Sequence, residues 1–243
     1  MSSYKKLCTE FYDIDKPYAE KDEVDFYLNF IKQNGSYLEA MVGSGRLYIP
    51  LREKGLNLHG IDTSDEMLES LKTRCAAKGI EPLVQRQDLS QLKMPLAFDC
   101  IFIPLGSFQL ITDRSLALES LKAMHRHLTP SGFLLLDTFI PWEAVRGESE
   151  KSKRSVQFDE VTQIEIESNC EPHPLEQFFI CKNTYRKTRI GQLLEEELEL
   201  LPITWYFPFE MELFLEKTGF SRILRHEATY QSNAGGIVYQ AFR

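Results

Sequence analysis

Residues 38–46, which read Leu-Glu-Ala-Met-Val-Gly-Ser-Gly-Arg, join a short apolar segment to a glycine-containing turn. The apolar part predicts a strand, and the glycines predict a tight turn ahead of a helix. Glycine lets a ligand approach the backbone closely, and the first amides of the helix are free to bind it. Taken alone, the turn is equally typical of a strand-to-helix connection that binds nothing.

Strands and helices alternate on both sides of this turn. Apolar runs predict strands at 37–41, 56–62, 82–88, 98–104 and 133–140, and helical patterns lie between them. Two last strands, 221–230 and 236–242, follow a helix at 208–218 with only a polar turn between them. This pattern is typical of the α/β class and predicts a doubly wound, mostly parallel, seven-stranded Rossmann-like sheet with one antiparallel strand near the C-terminus.

The sequence pattern changes between residues 155 and 205, where 161–168 and 194–201 alternate apolar and polar residues and 178–186 is strand-like. Alternation is typical of antiparallel strands with one wet face, so we expect a small antiparallel insertion within a single domain spanning 1–243. In the last segment Leu198 and Leu200 alternate with glutamates, and we expect the glutamate side to face solvent. The insertion either covers an acceptor site or forms the face of a homodimer, and the pattern leaves both open.

Composition narrows the class of protein. The 243 residues carry 28 Lys and Arg against 36 Asp and Glu, a net charge of −8, which disfavours a nucleic-acid partner. No apolar run is long enough to span a membrane, and the N-terminal residues lack the apolar core of a secretory signal. The five cysteines are widely spaced, so we expect neither a zinc site nor a disulfide framework, and a cytoplasmic location.

Two acids stand at the ends of neighbouring predicted strands. Asp62 ends the second strand, where an acid of a doubly wound fold can accept bonds from both ribose hydroxyls of a nucleotide. Asp88 ends the third strand and can accept from an adenine amine, while Leu89 offers a backbone amide. The alternative role for Asp62 is a helix cap. Together with the glycine turn, these strand ends predict one nucleotide-binding crevice.

At this point the sequence resembles the class I S-adenosylmethionine-dependent methyltransferases of the small-molecule type, over residues 10–141 and the closing helix and strands. The resemblance rests on residues 39–45, Asp62, Asp88-Leu89, 98–104 and 128–133. Phe11-Tyr12-Asp13 is similar to a motif of the family's cofactor lid. The resemblance implies methyl transfer from S-adenosylmethionine to a nitrogen or oxygen of a small molecule, leaving S-adenosylhomocysteine. The residues it implies for the cofactor are Tyr12, Glu39, Gly43, Ser44, Gly45, Asp62, Thr63, Met67, Asp88, Leu89 and Pro104.

The sequence departs from the family at Met41, which stands where the first glycine of the motif is usual and should narrow the methionine pocket. A rival hypothesis is an NAD-dependent oxidoreductase. Its Gly-x-Gly-x-x-Gly motif fails here because Tyr48 occupies the third glycine position. A second rival is an S-adenosylmethionine-binding protein without catalysis, which only product formation would separate from an enzyme.

No catalytic base can be assigned, and no metal-ligand spacing occurs. His125 and His127 lie at the end of a predicted helix, where a capping role is favoured over catalysis. Tyr18 could close over the cofactor, and Trp142 and Tyr206 could line an acceptor cavity, although simple packing is the favoured interpretation of each.

Overall fold

The computed structural model describes residues 4–233 and 235–243, so the first three residues of the N-terminal stretch lie outside it. The helices are α1 (Lys6–Asp15), α2 (Lys21–Leu28), α3 (Tyr48–Glu53), α4 (Asp65–Ala77), α5 (Arg114–His127), α6 (Trp142–Val145) and α7 (Pro208–Lys217). The strands are β1 (Ser36–Ala40), β2 (Asn57–Asp62), β3 (Val84–Arg86), β4 (Phe98–Ile103), β5 (Leu128–Thr138), β6 (Glu150–Gln157), β7 (Thr162–His173), β8 (Phe178–Arg189), β9 (Gln192–Thr204), β10 (Arg222–Glu227) and β11 (Ile237–Phe242).

Seven strands form the main sheet in the order β10-β11-β5-β4-β1-β2-β3. β11 runs antiparallel to both of its neighbours, and the pairs β1–β2, β1–β4, β2–β3 and β4–β5 are parallel. This confirms the predicted α/β class and the one antiparallel strand near the C-terminus. The parallel pairs bring the carboxyl ends of β1 to β4 to one edge of the sheet.

The core lies on both faces of this sheet. Strand β4 shows why its residues form a buried strand, since Cys100 and Phe102 pack towards one face and Ile101 and Ile103 towards the other. Alternation places both sets in contact with apolar helices, as a parallel sheet covered on two sides requires.

Two helices differ from the expectation. The spacing of the apolar residues Val24, Tyr27, Leu28 and Ile31 predicts a helix over 22–34, but α2 ends at Leu28. The chain continues as a turn in which the Ile31 amide bonds the Tyr27 carbonyl at 3.1 Å. Helix α1 was not predicted, because only Leu7, Cys8, Thr9 and Phe11 of its ten residues are buried, and this stripe is short.

The second sheet is the predicted antiparallel insertion. Its four strands follow in the order β6-β7-β8-β9, all antiparallel, and it begins at Glu150 and ends at Thr204, close to the expected 155–205. The division of the chain into one domain with an insertion stays a prediction, as does the homodimer.

The expected orientation of β9 is wrong. Leu198 and Leu200 are 50% and 44% exposed, whereas Glu199 is 3% exposed. The glutamate side faces α1, which supplies amide donors that a carboxylate can accept from, so here hydrogen bonding outweighs the burial of leucine.

The expectation of no disulfide is also wrong. Cys170 of β7 and Cys181 of β8 face each other in the ladder and are joined by a disulfide, with their Cα atoms 4.0 Å apart. The ladder brings together two cysteines that spacing alone does not pair. Among the described residues, no helix is both long and apolar enough to cross a membrane.

Candidate functional site

A cavity of about 590 Å³ opens at the carboxyl ends of β1, β2, β3 and β4. Its volume is within the range of small-molecule and cofactor sites, and its position is where doubly wound folds bind ligands. Nine of the eleven residues predicted to hold a cofactor line it, namely Tyr12, Glu39, Gly43, Asp62, Thr63, Met67, Asp88, Leu89 and Pro104.

Ser44 and Gly45 do not line the cavity. The side chain and carbonyl of Ser44 accept from Arg74 Nη1, at 3.2 and 2.9 Å, on the far side of the turn. Gly45 has φ +86°, and a Cβ there would lie 3.0 Å from Leu71 Cγ. Both residues therefore act on the site through the shape of the turn.

Asp62 fastens the glycine turn to the end of β2. Its Oδ2 accepts from the Gly43 amide at 2.8 Å, and its Oδ1 accepts from the Ser64 amide at 2.9 Å. Burial raises the pKa of Asp62, although these amide bonds oppose the rise. A carboxylate has about four acceptor positions, so Asp62 can accept two further bonds from a ligand in the cavity.

Two polar residues of the site cap the helical segments that follow them. Ser64, and not Thr63, caps α4, since its Oγ accepts from the Met67 amide at 3.1 Å. Thr63 and Ser64 both line the cavity. Asp88 caps the short helical turn that follows it, with Oδ1 accepting from the Ser90 amide at 2.8 Å.

Glu39 carries an unsatisfied atom. The residue is 2% exposed, lines the cavity, and its Oε2 has no hydrogen-bond partner among the described residues. Burial raises the pKa of this carboxyl well above its ordinary value, against the influence of Arg46. A buried acceptor without a partner costs free energy, so this atom is a candidate to accept a hydrogen bond from a ligand in the cavity.

Met41 adopts a backbone conformation that normally favours glycine. Its φ is +59°, and its side chain lines the cavity beside the turn. A non-glycine residue in this region is strained. The backbone here suits glycine, as the resemblance implies, and the structure places the Met41 side chain inside the site.

Two residues of the cavity lining, Tyr4 and Arg46, were missed by sequence reasoning. Tyr4 precedes α1, and Arg46 follows the glycine turn. Arg46 makes a buried two-pronged ion pair with Glu23 of α2, with 2.7 Å between Nη1 and Oε2. The position of Arg46 directly after Gly45 in the sequence was the signal that could have identified it as a site residue.

A second, mainly apolar part of the lining was also missed. It is built by the segment after β4, the start of α5 and the end of β9. Its described lining residues include Leu105, Ser107, Leu110, Ile111, Thr112, Asp113, Leu116, Leu201 and Pro202. No pattern local to any one of these segments connects them, because they meet only in the folded chain.

The secondary candidates lie elsewhere. Trp142 is 54% exposed, Tyr206 is buried under Arg114 with 4.0 Å from ring to guanidinium, and Tyr18 stacks on Arg74. His127 is tied to α5 through the Ala123 carbonyl at 2.8 Å, and His125 packs on Phe220. Among the described residues that line the cavity there is no histidine and no lysine.

A model of a methyltransferase domain family matches residues 38–132, from β1 into β5. This match supports the resemblance of the sequence to the class I S-adenosylmethionine-dependent methyltransferases. Among curated proteins it is 29% identical over 109 residues to YqeM of Bacillus subtilis, whose methyltransferase name is provisional. That alignment covers 44% of this chain and 43% of YqeM, and a Geobacillus relative aligns over 53% of its length, so the match spans about half of these relatives.

Solved structures extend the likeness of this domain to nearly the whole chain. An S-adenosylmethionine-dependent methyltransferase from Clostridium acetobutylicum has a TM-score of 0.74 at 21% identity, with 95% of each chain covered. The sugar N-methyltransferase KedS8 from Streptoalloteichus has a TM-score of 0.78 at 18% identity, covering 100% of this chain and 96% of its own. At these identities the likeness establishes the fold.

Proposed function

We propose that this chain binds S-adenosylmethionine in the cavity and transfers its methyl group to a small-molecule acceptor. The observation that carries the proposal is the meeting of Glu39, Gly43, Asp62 and Asp88 at four neighbouring strand and turn ends around one cavity.

The polar atoms of the site fit this cofactor. Asp62 has acceptor positions left for two ribose hydroxyls, and Asp88 with the Leu89 amide suits an adenine ring. The unpartnered Oε2 of Glu39 suits a donor at the methionine end, beside Arg46 and Tyr12. When bound, S-adenosylmethionine supplies an activated methyl group on a sulfonium ion.

The work left to the chain is positioning and the exclusion of water. The apolar part of the cavity lining excludes water from the acceptor and holds it in line with the donor. A neutral amine needs little further help, whereas a hydroxyl needs a base of suitable pKa. No histidine or lysine lines the cavity among the described residues. Asp113, the carboxylate in the apolar part of the lining, is engaged in capping α5, where its Oδ1 accepts from the Ser115 and Leu116 amides at 2.7 and 3.0 Å. We therefore favour an amine acceptor.

Two neighbours of the same fold are compatible with an amine, since KedS8 is a sugar N-methyltransferase and CalS10 is an amino pentose methyltransferase. Each is under 25% identical to this chain. The argument for the amine therefore rests on the cavity, and the neighbours suggest amino sugars as the first acceptors to try.

Titration calorimetry with S-adenosylmethionine, S-adenosylhomocysteine and NAD tests the cofactor. We expect binding of the two sulfur nucleotides and none of NAD, and the reverse result would restore the oxidoreductase hypothesis. A methyl-transfer screen against paired amines and alcohols then tests the acceptor. Methylation of alcohols alone would overturn the amine preference, and binding without any product would favour a non-catalytic protein.

A further inference from the structure

Strand β9 turns its glutamates towards helix α1. Glu195, Glu197 and Glu199 alternate along the strand on the side that faces the helix. Leu198, between Glu197 and Glu199, and Leu200 after Glu199 point outward. A strand normally buries its apolar side, so this inversion indicates that the carboxylates have a specific partner.

That partner is the N-terminus of α1. Lys5, at the N-cap position, provides no side-chain cap. Glu197 instead accepts from the Leu7 amide with Oε2 at 3.0 Å and from the Cys8 amide with Oε1 at 3.2 Å. A helix leaves its first amides free and carries partial positive charge there, so a carboxylate stabilises it.

Glu199 holds the residue that leads into the helix. Its Oε1 accepts from the Tyr4 amide at 2.8 Å, and its Oε2 accepts from Asn183 Nδ2 at 3.0 Å and from the Tyr185 hydroxyl at 3.3 Å. A buried carboxylate with bonds on both oxygens is held in one position. It can therefore fix Tyr4 relative to the insertion sheet.

The rest of α1 is wedged between two parts of the fold. On the insertion side, Glu10 pairs with Lys187 at 2.8 Å and Phe11 packs edge-on against Tyr185. On the main-sheet side, Asp13 pairs with Arg74 of α4 at 3.1 Å. The helix therefore bridges the insertion and the main sheet.

This bridge forms part of the cavity wall. Tyr4 and Tyr12 line the cavity from the N-terminal segment, and Leu201 and Pro202 line it from the end of β9. One strand therefore reaches the cavity directly and also holds the helix that closes it.

We propose that Glu197 and Glu199 are positioning residues for the cofactor, because they dock α1 so that Tyr4 and Tyr12 close the cavity. Neither carboxylate lines the cavity itself. The proposal rests on the proposed binding of S-adenosylmethionine there.

The test compares Glu197→Ala and Glu197→Gln with Glu195→Gln. Glu195 is the matched control. It lies on the same face of the strand, and among the described residues its carboxylate pairs with the exposed Lys6 ammonium, at 3.0 Å, and with no amide of α1. Hydrogen exchange of the α1 amides is measured without cofactor, and the Kd for S-adenosylhomocysteine is measured by calorimetry.

We expect Glu197→Ala to speed exchange at Leu7 and Cys8 and to raise the Kd about tenfold, and Glu197→Gln to raise it about threefold because one acceptor oxygen remains. The control variant Glu195→Gln should leave both the exchange rates of the α1 amides and the Kd unchanged. With an acceptor in hand, the KM for the cofactor should rise while kcat at saturating cofactor changes little, which a general loss of stability would not produce.

Glu199→Gln provides a second variant if Glu197→Ala does not fold. Faster exchange in α1 with an unchanged Kd would overturn the positioning role, and unchanged exchange would overturn the docking itself. Failure of wild type to bind either sulfur nucleotide would instead refute the proposed function, while the exchange result would still stand.

Discussion

At the scale of single residues, Asp62 has two structural tasks besides its proposed ligand role. Its carboxylate accepts from the amides of Gly43 and Ser64. We expect Asp62→Ala to weaken cofactor binding about ten- to a hundredfold. The same change should also lower the stability of the apo protein, by about 1–3 kcal/mol, because two backbone amides lose their acceptor.

Calorimetry and thermal melts of wild type, Asp62→Ala and Asp65→Ala measure both effects. Asp65 is the control because it is exposed at the start of α4 and pairs with Arg86 on the surface. An unchanged affinity in Asp62→Ala would remove this residue from the site and weaken the cofactor assignment.

Met41 permits a test of backbone strain. At φ +59°, alanine is disfavoured by about 1 kcal/mol relative to glycine. Met41→Gly and Met41→Ala lose the same side-chain contacts beyond Cβ, so the glycine variant should be the more stable by about that amount. In the interior of α5, by contrast, Ala123→Gly should lose at least about 1 kcal/mol, because glycine is a poor helix former and a buried methyl group is removed. Urea unfolding of the three variants measures these differences, and an alanine variant at position 41 as stable as the glycine variant would contradict the strain.

At the scale of elements, the N-terminus of α4 is capped by one of the two residues that connect β2 to the helix. Thr63 and Ser64 both line the cavity, but the cap is Ser64, whose Oγ accepts from the Met67 amide. We expect Ser64→Ala to cost about 1 kcal/mol of apo stability and Thr63→Ala to cost little. Thermal melts of the two apo variants measure this, and a larger loss in Thr63→Ala would reverse the assignment.

At the scale of the whole molecule, Asp137 joins separate parts of the chain. It is fully buried at the end of β5, where it accepts from the hydroxyls of Tyr27 and Tyr230 and, at 3.1 Å, from the Leu105 amide. Burial raises the pKa of Asp137 from 3.8 to about 6, although these hydrogen bonds oppose the rise.

The sign of its effect on stability follows from proton linkage. Between about pH 4 and about pH 6 the native state retains a proton on Asp137 that the unfolded chain has lost. Stability from this group therefore falls as pH rises through that window, by about 1.4 kcal/mol per pH unit. Asp137→Asn removes the titration, so wild type should lose stability relative to this variant between pH 4 and 6. Denaturant unfolding across the range measures the difference, and parallel curves would contradict it.

Much of the main sheet was predictable because its strands are buried on both faces and read as apolar runs. The acids and glycines at the strand ends were predictable for a related reason, since parallel strands bring their carboxyl ends to one edge whatever packs around them. Glu39, Gly43, Asp62 and Asp88 therefore meet as the sequence indicated.

Only the tertiary structure decided which side of β9 faces inward. Alternation along the strand distinguishes leucine from glutamate but does not show that a helix with free amides lies against the glutamates, about 190 residues away in sequence. The same holds for the pairing of Cys170 with Cys181, which depends on the register of two strands. Local patterns determine strands and their ends, whereas partners distant in sequence determine which polar groups can be buried, because a buried carboxylate is stable only where donors meet it.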